Sequence, residues 1–143
     1  MDARAATSSD VTIVFGHLAN RMAAEYASAG GSERAAQDAL FQNLKEGRAH
    51  ALVDATGPVA IIAWDEDGGV ANTSFAAAEG FFTASTVRFC RRHIRRIQAL
   101  CGNIPIRSRS WSSREDVARW FHAIGFEKID GGDGFTLYEL PPR

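Results

Sequence analysis

The chain has 143 residues, 45% of them hydrophobic, which suits one compact domain with a buried core. A formal net charge of −1 and a pI near 6.4 exclude a globally basic nucleic-acid or membrane-surface binder, so any basic function rests on a local patch. The apolar runs fall short of the roughly 20 residues that span a bilayer, and the opening MDARAATSSD lacks the apolar centre of a signal peptide. A soluble, cytoplasmic protein is expected. Cys90 and Cys101 read as small apolar fillers rather than as a disulfide or a metal pair, and no metal site is expected.

In chain order, Ala3 to Thr7 reads as a short strand, with Ser8 or Ser9 as the N-cap of a helix and Asp10 in its first turn. Val11, Val14, Phe15, Leu18, Met22 and Tyr26 recur at helical spacing up to Gly30-Gly31, as one long helix or two short ones. Val11 to Phe15 is β-branched enough to form a strand instead. A further helix begins at Ser32, with Ala36, Leu40, Phe41 and Leu44 inside and Gly47 at its end. The period then changes to two. His50 to Asp54 and Val59 to Trp64 form a hairpin through Thr56-Gly57, Asp67-Gly68-Gly69 turns again, and Val70 to Ala78 adds a third strand. Asp65, Glu66 and Asp67 read as an acidic turn.

From Thr83 to Cys101, the residues Val87, Cys90, Ile94, Ile97 and Cys101 form one apolar stripe. Arg88, Arg91, Arg92, Arg95 and Arg96 point away from it, and His93 joins their solvated face. Ile104 to Trp111 is another strand, and Ser112 with Glu115 makes a capping box for a last helix. That helix turns Val117, Trp120, Phe121 and Ile124 inward and ends at Gly125. Glu127 to Asp130 and Phe135 to Leu140 close the chain as a hairpin turning through Gly131 to Gly134. The layout is α+β with a mixed sheet.

This order resembles the GNAT superfamily of N-acetyltransferases along nearly the whole chain. Arg4-Ala-Ala-Thr7 with Asp10 is similar to the family's opening strand and helix start, and Val117 to Phe126 is similar to its last helix, which ends in Gly-Phe. The short length and reduced cofactor region look most like GNAT-like proteins encoded by tailed bacteriophages. The resemblance implies a mainly antiparallel sheet flanked by helices, with acetyl-CoA in a V between the fourth and fifth strands. It implies that the end of the fourth strand, Phe75, Ala76, Ala77 and Ala78, and the loop and helix start Gly80, Phe81, Phe82, Thr83, Ala84 and Ser85 hold the cofactor, with Arg88 reaching a phosphate. The family's loop is glycine-rich, whereas this one has Gly80 alone, bulky Phe81 and Phe82, and acidic Glu79. Arg114 stands where the family often has asparagine and is assigned to the same site.

For catalysis, the resemblance calls for a base and often a tyrosine acid four residues before the glycine of Gly-Phe. That position is Phe121, which has no proton to give. Glu79 is the candidate base, His122 a candidate proton relay and Tyr138 a substitute acid. The five arginines of residues 88 to 96 exceed what solubility needs. The readings for them are contact with the 3′-phosphate of CoA, docking of an acidic protein, nucleic-acid contact, ranked third because aromatic residues do not interleave them, and plain solvation with salt bridges to neighbouring acids. Two functions from different classes are carried forward: an acyl-CoA-dependent N-acetyltransferase acting on a protein or small amine, and a non-catalytic GNAT-fold module working through protein contacts. A homodimer is a further expectation from the resemblance.

Overall fold

A computed structural model describes all residues 1–143. It contains seven strands and five helices: β1 (Asp2–Ala5), α1 (Ser8–Gly16), α2 (Asn20–Ser28), α3 (Glu33–Lys45), β2 (Ala49–Asp54), β3 (Gly57–Asp67), β4 (Val70–Ala77), α4 (Ala84–Leu100), β5 (Ile106–Ser110), α5 (Glu115–Ala123), β6 (Glu127–Gly132) and β7 (Phe135–Leu140). The strand order is β1-β2-β3-β4-β5-β7-β6, mostly antiparallel, with β4 and β5 running parallel. The α+β reading holds. No helix is long and apolar enough to cross a membrane.

Two compact units emerge, the first comprising Met1–Asp65 and Ser74–Phe82. Its core is Val11 and Val14 of α1, Leu40 of α3, and Ala49, Ala51, Ile61, Ala63 and Ala76 of the strands. Small residues on the strands let the larger helical side chains sit close to the sheet. The N-cap of α1 is Thr7, not Ser8 or Ser9: its hydroxyl accepts from the Asp10 amide and the Asp10 carboxylate accepts from the Thr7 amide. The same carboxylate takes two bonds from the Arg4 guanidinium, one of them 2.8 Å long. These contacts give the Arg4, Thr7 and Asp10 pattern its structural meaning.

Val11 to Phe15 is helical, and the helical pattern that follows breaks into two. At the break, the Ala19 amide donates to the Ala77 carbonyl, the Glu79 amide donates to the His17 carbonyl, and Leu18 bridges Ala78. The break therefore ties the chain to the end of β4. The acidic residues Asp65, Glu66 and Asp67 lie in β3 and not in a turn; Asp65 accepts from the buried amide of Asn43, and Gly68-Gly69 alone turn the chain.

The second unit comprises Glu66–Thr73 and Thr83–Arg143. Cys90, Ile94, Ile97 and Cys101 of the α4 stripe are buried, as are Ile106, Ile124, Phe126, Tyr138 and Leu140. Burial pushes the Cys90 thiol up to about 12, which suits a filler and not a nucleophile. His93 is buried with its ring stacked on Phe89, a correction to the solvated-face reading. Arg95 is half-buried and donates to Gln98 and to the Pro141 carbonyl, so it too leaves the exposed arginine face. Ser112 and Glu115 form no capping box: α5 starts at Glu115 behind Arg114, and the Ser112 hydroxyl accepts from the Arg114 amide in a short turn. β6 runs on to Gly132, leaving Asp133-Gly134 as the turn, and its bulge and charges blunt an exposed edge.

Candidate active site

Gly80 sits in the turn that follows β4, with φ at +79°. The turn is closed by the Phe81 amide on the Ala78 carbonyl, 3.2 Å away. A Cβ at Gly80 would meet nothing within 4 Å. The glycine is thus required by backbone conformation, and no neighbouring atom presses on it. Phe81 and Phe82 stand apart in role. Phe81 is buried edge-on against Phe75, whereas half-buried Phe82 lies beneath the Arg21 guanidinium, 3.5 Å from ring centre to Cζ. Glu79 is exposed.

The end of β4 is held from the helical side of the first unit. The Tyr26 hydroxyl donates to the Phe75 carbonyl at 2.6 Å, and burial raises the Tyr26 phenol far above its ordinary range. Ala76, Ala77 and Ala78 are buried. Tyr26 and Arg21 were not singled out for this site by the sequence. The only signal was Tyr26 at the end of an apolar helical series, where a polar tip can reach a strand carbonyl.

The start of α4 lies in the second unit. Thr83 caps it, with its hydroxyl accepting from the Thr86 amide and its amide donating to the Thr86 hydroxyl at 2.9 Å. Those bonds use the Thr83 and Thr86 amides and leave those of Ala84 and Ser85 as the first-turn donors. Helices α1, α3 and α5 each carry an acid in the first turn; α4, 17 residues long, carries none. Arg88 is exposed one turn further on. Two amide donors, the positive end of a long helix and an arginine make a donor set that fits a phosphate. β5 pairs with β4 only at Ala71↔Ile106 and Asn72↔Arg107, so the parallel ladder stops early.

Among the candidate catalytic groups of this unit, Tyr138 on β7 is buried and its ring lies flat on Phe121 of α5, centroids 4.2 Å apart. The phenol-bearing ring therefore packs on Phe121, the residue at the position where the resemblance expects a tyrosine. His122 is exposed on the other side of α5 from its buried end residue Ile124. Arg114 is exposed and clasps Asp116 through two bonds of 3.0 and 2.7 Å, which hold it at the helix start.

No family model and no curated protein matches the chain. Solved structures do match. The PaiA N-acetyltransferase from Thermoplasma acidophilum in complex with coenzyme A has a TM-score of 0.74 at 11% identity, over 99% of this chain and 98% of its own. AAC(6')-Ib in complex with paromomycin and acetyl-CoA has a TM-score of 0.72 at 13% identity, over 99% and 92%. The chain has the GNAT fold. The GNAT domain of S. lividans PAT gives a TM-score of 0.75 at 11% identity, covering 96% of this chain and 88% of that domain. Identities this low speak of fold alone, and within the GNAT fold the turn at Gly80 and the capped start of α4 stand directly after the fourth strand.

Proposed function

We propose that this chain is an acetyl-CoA-dependent N-acetyltransferase. The observation that carries the reading is the acid-free, capped start of α4 with Arg88 one turn in, set in a fold shared with proteins solved with coenzyme A and acetyl-CoA. When bound, acetyl-CoA supplies a thioester whose acetyl carbon accepts an amine nitrogen. The amides of Ala84 and Ser85 and the α4 dipole would hold its phosphates, and Arg88 would neutralise them. On this reading Glu79 would serve as the base for an amine, His122 as a proton relay to solvent and Tyr138 as a proton donor. The short cofactor loop supports the likeness to phage-encoded GNAT proteins, with a protein or small amine as acceptor.

Thiol release from acetyl-CoA in the presence of a pool of lysine peptides and polyamines tests the reading. Amine-dependent release above the protein-free rate is expected; its absence across the pool contradicts catalysis.

One observation favours a second reading. Phe121 carries no hydroxyl, so the ring stack with Tyr138 also serves plain core packing, as a non-catalytic GNAT-fold module acting through protein contacts would have it. Such a module releases no thiol from acetyl-CoA with any amine.

A further inference from the structure

The remaining arginines of α4 form a surface of a different kind from the rest of the molecule. Five arginines elsewhere are paired with the chain's own acids: Arg4 with Asp10, Arg48 with Glu46, Arg107 with Glu139, Arg114 with Asp116 and Arg119 with Glu115. Arg88, Arg91, Arg92 and Arg96 are exposed, and none of them makes an ion pair. Arg91 makes a single long bond, 3.5 Å, to the Ala123 carbonyl. Like charge accumulates there: Arg143 and Arg91 add to burial in lowering the Arg95 guanidinium. A chain of net charge −1 with 17 acids gains nothing in solubility from leaving this cluster uncompensated.

A second observation concerns Leu100. It is 67% exposed, the most exposed large hydrophobic residue of the chain, and it continues the four-residue row Arg88, Arg92, Arg96. At 1.5 Å per residue this row is about 18 Å long, with arginines about 6 Å apart. Glutamates four residues apart on a partner helix repeat at the same interval, and guanidinium forks match carboxylates. An apolar anchor beside a charged rim is how a polypeptide partner is held, whereas phosphate contacts along a nucleic acid need no such anchor. The aromatic residue of this stretch, Phe89, is stacked on buried His93 and is engaged within the fold.

From these observations we infer that Arg88, Arg91, Arg92, Arg96 and Leu100 form a docking face for an acidic polypeptide segment with one apolar anchor residue. The face shares Arg88 with the phosphate site proposed above, whereas Arg91, Arg92, Arg96 and Leu100 have no part in that reading, and Arg95 belongs to the fold rather than to the face.

Fluorescence anisotropy of the full chain tests it with three labelled probes. These are a helical peptide with glutamates at four-residue spacing and a terminal leucine, the same peptide with serine for leucine, and an oligothymidylate of equal charge. The leucine peptide is expected to bind about tenfold more tightly than either other probe. Combined Arg92→Ser, Arg96→Ser and Leu100→Ser should abolish that binding with an unchanged melting temperature. Should the triple variant fold poorly, Leu100→Ser alone should erase the difference between the two peptides. Oligothymidylate binding as tight as the leucine peptide, no peptide binding, or peptide preference unchanged by Leu100→Ser would each overturn the inference.

Discussion

The ring of Tyr138 lies on that of Phe121 with centroids 4.2 Å apart and planes 9° apart. One side chain holds the position where the GNAT resemblance expects an acid, and the other brings a phenol onto its face. If Tyr138 is the proton donor, Tyr138→Phe keeps the stack and removes the proton. Thiol release should then fall about tenfold or more, with acetyl-CoA affinity unchanged. Phe121→Tyr should raise the rate, because the hydroxyl is added without disturbing the packing of the ring. Steady-state kinetics of both variants reads the result.

The start of α4 permits a substitution whose effects on stability and binding have opposite signs. Ala84→Asp adds an acid to an exposed first turn that has none. The helix dipole should reward it by about 0.3–1 kcal/mol of stability. The same charge should repel a phosphate and weaken acetyl-CoA binding about tenfold. Thermal melting and ligand titration on one sample separate the two effects.

The bonds from Arg4 and from the Thr7 amide keep the buried Asp10 carboxyl below its ordinary range, and the Arg4 hydrogen bond is the largest cause. A depressed pKa in the folded state adds stability that is present above the ordinary carboxylate pKa of about 4. That stability is lost as pH falls through the lower folded value. Asp10→Asn should lower the melting temperature at neutral pH and flatten its decline in acid. Thr7→Ala should cost about 1 kcal/mol through the lost cap.

Gln98 is buried, and its amide group donates to the carbonyls of Ile104, Leu140 and Pro141 while its oxygen accepts from Arg95. Gln98→Leu matches the volume but strands these partners, so a loss of about 2–3 kcal/mol is expected in denaturant unfolding. Arg95→Ala should destabilise in the same sense, which sets it apart from its exposed neighbours on α4.

Much of the fold was legible because burial imposes simple periods. The α4 stripe from Cys90 to Cys101 follows from one buried face, and the apolar runs of β2 and β3, where neighbours such as Ala60 and Ile61 are both buried, follow from a strand covered on both sides. What escaped depended on partners distant in sequence. His93 reads as solvated beside Arg92 because nothing local announces its burial against the Phe89 ring, and Arg95 reads as exposed because its acceptor, Pro141, lies 46 residues away. The cap of α1 was misplaced because serine, threonine and aspartate compete for the same role, and the tertiary pairing of Arg4 with Asp10 selects Thr7. At the site, the glycine and the helix start were visible, but the role of Gly80 was not. Its φ of +79° and the open space around it assign it to the turn. Tyr26 and Arg21 entered the site region only through contacts made from α2.

The central claim is that the start of α4 holds the phosphates of acetyl-CoA. Calorimetric titration of the purified chain with acetyl-CoA, with CoA as control, tests it most directly. Saturable binding in the micromolar range or tighter, weakened by Ala84→Asp, is the predicted result. No heat at high ligand concentration together with an unchanged melting temperature would contradict the claim and leave the GNAT fold here without its cofactor role.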